Sequence, residues 1–204
     1  MKRVVRTALL APIGAFLSPA RVSSGGTQQQ YRYPLLLWAL AGLGFSGFGW
    51  VAGGFLGSWA PRIACAVGAT AIALGLLNRQ PRAALVGAVS AAIVSLAAVQ
   101  IGQYFFSPLV AWPVAALVIG VVGAFAFRRQ RARIAFIVGA PLLGSAGFLV
   151  GMLATLLIAM GLNDSRVSAQ MMLGGAVGFG LLLMVGAAIA SRWLDATRAA
   201  GEVS

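Results

Sequence analysis

From residue 34 onward the chain runs in long uncharged apolar windows separated by short arginine clusters, and six windows can be read. They cover residues 34–57, 61–77, 83–106, 109–127, 134–162 and 171–191, and none holds a Lys, Arg, Asp or Glu well inside it. About 20 apolar residues at 1.5 Å rise cross a hydrocarbon core of roughly 30 Å, so each window predicts a transmembrane helix. The second is short enough to be marginal on its own. The expected fold is an all-α integral membrane protein, a compact bundle of six transmembrane helices, since lipid admits only helices or closed barrels.

The basic residues give the bundle a direction, because Lys and Arg beside a span resist translocation while acids matter little. Lys2, Arg3, Arg6, Arg21, Arg32, Arg79, Arg82, Arg128, Arg129, Arg131, Arg133, Arg192 and Arg198 fall on one side of a six-span path, and only Arg62 and Arg166 on the other. Both termini are therefore expected in the cytoplasm, with residues 192–204 as a short cytoplasmic tail.

Composition agrees with the pattern: 60% of residues are hydrophobic and 9% charged, where soluble domains carry about 25% charged residues. A net charge of +12 would suggest nucleic acid in a soluble protein. Here most of it is an orientation signal, and no nucleic-acid partner is expected. The densest cluster, RRQRAR, places Arg128, Arg129, Arg131 and Arg133 where they also meet anionic lipid head groups, at about 1 kcal/mol per basic residue near the surface.

Residues 1–33 form a basic N-terminal tail. Its start resembles a secretory signal, but cleavage after Ala20 would put the arginine-rich loops outside. Apolar Val4, Val5, Ala8, Leu9, Ile13, Phe16 and Leu17 at helical spacing beside Lys2, Arg3 and Arg6 read instead as an interfacial amphipathic helix. An Arg-rich, acid-free targeting segment is the alternative. SSGGTQQQ then links it to the first span. Arg-dominated basic residues and abundant Ala and Gly suggest a GC-rich genome and a bacterial inner membrane, an organellar inner membrane being the other option.

Two catalytic-looking motifs overlap in GLGFSG, Gly42 to Gly47. GxGxxG marks dinucleotide binding only between a strand and a helix, with an acid about 20 residues on; here it lies inside an apolar window, and the first acid is Asp164. GxSG resembles the nucleophile motif of rhomboid-type intramembrane proteases, which needs a histidine base, and the chain has no histidine. One cysteine, Cys65, and three acids, Asp164, Asp195 and Glu202, cannot build the usual metal, haem or paired-carboxylate sites. No catalytic residue, metal or cofactor is expected.

The glycines read better as contact surface. Small residues let helix backbones approach in lipid, where little hydrophobic drive holds helices together. Gly42, Ser46, Gly49, Gly53 and Gly57 share one stripe of the first span, with Ser46 expected there for its small size; Leu43, Phe45, Phe48, Trp50 and Phe55 mostly take other faces. A second stripe is Ala140, Gly144, Gly147 and Gly151 in the fifth span. Weaker ones are Gly87, Ala91 and Ser95 in the third and Gly174 and Gly178 in the sixth.

Gln100, Gln103 and Tyr104 near one end of the third span, with Ser145 and the kink-forming Pro141 of the fifth, make a candidate polar path. RIACAVGA from Arg62 and RIAFIVGA from Arg133 raise an inverted repeat, but VGA alone occurs five times in the chain.

Two functional classes remain. One is an uncoupled permease, channel-like protein or substrate-capturing component for a neutral or hydrophobic solute, since no buried acid is available for ion coupling. The other is a non-catalytic structural or assembly subunit of a larger membrane complex. A membrane-protein partner or a homo-oligomer suits either.

Overall fold

The computed structural model describes residues 34–78, 80–102, 107–125, 127, 130–162 and 167–191. The tails 1–33 and 192–204, Gln103, Tyr104, Arg128 and Arg129 lie outside them. Among the described residues there are six α-helices and no strand: α1 Leu35–Gly54, α2 Trp59–Leu77, α3 Pro81–Gly102, α4 Ser107–Ala124, α5 Gln130–Leu162 and α6 Val167–Ile189. Five are long and apolar enough to cross a bilayer; in α4 the apolar stretch is the shorter Val110–Ala124.

The second window is longer than expected: α2 has 19 residues, close to the 18 of α4. Pro61 does not open α2 but sits in its first turn, where a missing N–H has no intrahelical partner to lose, so the helix extends backward through Ala60 and Trp59 to its N-cap at Ser58. Elsewhere the helices outrun or undershoot their windows by a few residues. α5 starts at Gln130, ahead of the expected 134, because Arg131 and Arg133 are good helix formers. Its 33 residues extend about 50 Å at 1.5 Å each.

The end of α1 differs from expectation for a specific reason. The amides of Phe55, Leu56 and Gly57 bond three residues back, to Ala52, Gly53 and Gly54, which tightens the last turn. Gly57 then takes φ 87°, a left-handed conformation that favours glycine, and nothing lies within 4 Å of where its Cβ would be. Gly57 thus ends the helix and is not part of its contact stripe.

Each helix packs on its neighbours in sequence, and α1 closes against α6, giving a ring; α2 also touches α4 and α6. Both faces of each helix are apolar, and what separates them is size. Phe48, Leu142, Val150, Leu153 and Ile158 point outward, while Ala66, Ala91, Ala111, Ala115, Ala116, Ala176 and Ala187 are buried. Small residues face in, as close helix packing in lipid requires.

Glycine brings the backbones into direct contact. On α1, a Cβ at Gly42 would overlap the Gly180 carbonyl of α6, whereas one at Gly49 or Gly53 would overlap the Cys65 or Pro61 carbonyl of α2. The single α1 stripe thus divides between two neighbours. On α5, Gly147 and Gly151 meet Gly178 and Gly174 of α6, backbone on backbone, while Gly144 faces Ala116 of α4 and Phe179 of α6. Ala140 meets Gly120 of α4. A tight α2–α3 hairpin completes the ring: the Asn78 side chain donates to the Leu74 carbonyl at 3.0 Å, Pro81 opens α3, and Gly75 lies against Ala84.

Gly147→Ile is expected to cost about 3 kcal/mol or more, because a backbone cannot yield as a side chain does. Gly139→Ile, at a position with nothing within 4 Å, should leave stability nearly unchanged. Thermal unfolding of the two variants in detergent makes the comparison, and equal melting temperatures would refute the α5–α6 contact.

Candidate functional site

Where four helices converge, the small-residue rule breaks. Trp112 of α4 is completely buried. Its ring lies 6.3 Å from that of Trp50 (α1) and 5.0 Å from that of Phe148 (α5), both stacked, and 4.7 Å from that of Phe179 (α6), tilted. Such offset and tilted arrangements suit aromatic quadrupoles. Glycines make the room: Gly175 lies directly under the Phe148 ring and Gly144 under that of Phe179, where a Cβ would collide.

The cluster is apolar with one exception. The Trp112 Nε1–H is buried and has no hydrogen-bond partner among the described residues. An unsatisfied buried donor costs about 1–3 kcal/mol, so this N–H is the cluster's one unmet demand.

The rings continue toward the end of the bundle that carries the α1–α2 loop. Trp50 contacts Trp59 at 5.8 Å, and the Arg62 guanidinium carbon lies 5.9 Å from the centroids of both. The guanidinium lies over Gly54, 3.4 Å from where a Cβ would stand, which is ordinary contact distance. Cation–π attraction holds it there, at about 0.5–2 kcal/mol depending on desolvation. No acidic residue occurs among the described residues, and Arg62 therefore has no carboxylate partner among them. The cluster thus combines aromatic rings, one buried N–H and one guanidinium.

Ser46 does more than stay small. Its hydroxyl, fully buried, donates across the helix interface to the Ala176 carbonyl of α6 at 2.5 Å. Other hydroxyls turn back on their own helices: buried Thr70 to Ala66 (2.8 Å) and Ser95 to Ala91 (2.6 Å), and half-buried Thr155 to Gly151 (2.8 Å).

The expected polar path does not assemble from its described members. Gln100 is exposed on α3, Pro141 and Ser145 are half-buried on α5, and α4 stands between those helices in the ring. Of the arginine cluster, Arg131 is exposed, but the Arg133 Nε donates to the Phe127 carbonyl at 2.6 Å. Phe127 is itself buried against Phe136 at 5.0 Å. Arg133 thus ties down the α4–α5 connection. A small apolar cleft between α2, α3 and α4, lined by Leu74, Gly75, Ala84, Ile119 and Val122 among others, offers little beyond the space of a water. No group of three or more potential metal ligands occurs among the described residues.

The aromatic cluster was not singled out from sequence, though signals existed. Trp50 lies four residues after Ser46 and three before Gly53, at the spacing of the stripe itself. Trp112 is the bulky residue beside Pro113, flanked on its buried face by Ala111, Ala115 and Ala116. Compared with protein-family models, curated proteins and solved structures, the chain matches none.

Ser46→Ala should lower stability by about 0.6 to 2 kcal/mol, the range for an interhelical hydrogen bond in lipid. Ser46→Val, which keeps no hydroxyl and adds bulk against Gly180, should cost clearly more. Denaturation in mixed micelles distinguishes them; no loss in Ser46→Ala would leave size as the whole role.

Proposed function

We propose that the protein is a substrate-capturing component of a membrane transport system, or a small uncoupled permease, whose solute is mainly apolar and lodges among Trp50, Trp112, Phe148 and Phe179. The unpartnered Trp112 N–H carries the reading. Sites for small ligands are largely apolar with a few placed polar groups, which is the balance found here. The proposal includes six crossings with both termini on the cytoplasmic face, supported by the thirteen-to-two distribution of basic residues. The aromatic column then opens outward, through the α1–α2 end. A bacterial inner membrane is the proposed setting, with Arg128, Arg129 and Arg131 meeting anionic lipid.

A second reading has its own support. The Gly147–Gly178 and Gly151–Gly174 contacts make α5 and α6 a rigid pair, and aromatic side chains fill the centre of the ring. A solid bundle of this kind suits a structural or assembly subunit, in which Trp112 serves packing alone.

Purification in mild detergent followed by native mass spectrometry separates the two. Capture predicts a small molecule retained by the wild type and released in Trp112→Phe, which keeps the ring and loses the donor. A fixed set of protein partners with no retained small molecule would overturn it in favour of the assembly subunit.

A further inference from the structure

The capture reading leaves the chemistry of the captured molecule open, and the geometry between Arg62 and Trp112 narrows it. Two polar groups mark the ends of one aromatic column. At the inner end is the buried, unpartnered Trp112 N–H. At the outer end is a guanidinium lying over two indoles that touch each other, 5.9 Å from each centroid, with no carboxylate among the described residues to neutralise it. Between them stands the Trp50 ring, 5.9 Å from the guanidinium carbon and 6.3 Å from the Trp112 ring.

We infer that this column receives an organic anion: a flat apolar body lying along the Trp50 ring, one carboxylate or similar oxyanion on Arg62, and a second acceptor atom reaching the Trp112 N–H. Arginine's planar fork suits a carboxylate in two parallel hydrogen bonds, and its face can stay stacked on an indole meanwhile. An aliphatic body would lose the stacking that three tryptophans offer, whereas a fused two-ring body keeps it and bridges the two polar ends. Arg62 is half-buried and Trp59 is exposed, so the cation is reachable from the α1–α2 end. The inner rings must part to admit the solute. α4 is the helix suited to yield, because Pro113 removes a backbone hydrogen bond one residue after Trp112.

The inference rests on the capture reading and is tested apart from it. Quenching of tryptophan emission by 6-hydroxy-2-naphthoate, 2-naphthoate, 2-naphthol and decanoate is measured on the full chain in detergent. The hydroxynaphthoate is expected to saturate most tightly, ahead of the naphthoate, because its hydroxyl oxygen accepts from Trp112. Arg62→Gln should weaken both anions about tenfold, as loss of a charge-assisted pair does, without affecting 2-naphthol, and Arg62→Lys should recover part of the loss. Trp112→Phe should abolish the advantage of the hydroxyl. The substituent comparison on the wild type tests the inner donor even if that variant fails to fold.

Equal affinity for 2-naphthol and the anions would overturn the oxyanion assignment while leaving capture intact. Decanoate binding as tightly as 2-naphthoate would overturn the flat body in favour of an alkyl chain such as a lipid's. If no probe binds and a small molecule is nevertheless retained on purification, the inference alone fails. If nothing is retained either, the capture reading fails with it.

Discussion

Helix backbones touching with no side chain between them are the constraint on which the rest of this structure depends. At the Gly42–Gly180, Gly49–Cys65, Gly147–Gly178 and Gly151–Gly174 crossings a single added Cβ would enter a neighbouring carbonyl or Cα. Where apolar surface is not driven out of water, such contacts hold helices through dispersion and weak Cα–H···O attraction, both of which fall steeply with distance. They also fix the register of each pair. The Ser46 hydroxyl can reach the Ala176 carbonyl of α6 only because Gly42 and Gly180 let those helices close.

Ring closure creates a second requirement. Six helices that touch their neighbours leave space along the common axis, and residues small enough to make the ring are too small to fill it. Interiors pack to the density of organic crystals, so the space needs large side chains. Trp112, Phe179, Ile119, Leu183 and Met184 supply them, each almost wholly buried. The glycines under the rings, Gly144 and Gly175, serve both requirements at once, admitting α5 to its neighbours and seating Phe179 and Phe148. The aromatic cluster is thus a consequence of the glycine stripes.

Much of the architecture was legible because hydrophobic windows and their lengths follow directly from helix geometry. Six windows became six helices, and Gly42, Ser46, Gly49 and Gly53 lie buried on one face of α1. Spacing could not say which helix meets which half of that stripe, because both faces are apolar and partner choice rests on three-dimensional fit. Nor could it place Gly57, whose left-handed backbone depends on how the α1–α2 turn is drawn closed. Arg133 reads as a surface charge in sequence, and its bond to the Phe127 carbonyl exists only once the chain has turned. The site was least visible of all. Trp50, Trp112, Phe148 and Phe179 come from four helices, and no periodicity within one helix reveals rings that meet across the axis.

The choice of tryptophan at position 112 bears on whether the centre is only a plug. A plug needs area and shape, which phenylalanine or leucine provides without a polar atom, as Phe148 and Phe179 do beside it. Tryptophan brings an N–H that costs about 1–3 kcal/mol when buried without a partner, set against the extra contact of its second ring. Among the described residues every fully buried hydroxyl has found an acceptor: Ser46 across the interface, Thr70 and Ser95 on their own helices. The fold therefore has means of satisfying inward polar groups, and among the described residues it leaves this one unmet. A packing role accounts for the ring and leaves the nitrogen unexplained; the solute we propose, with its acceptor atom, would account for both.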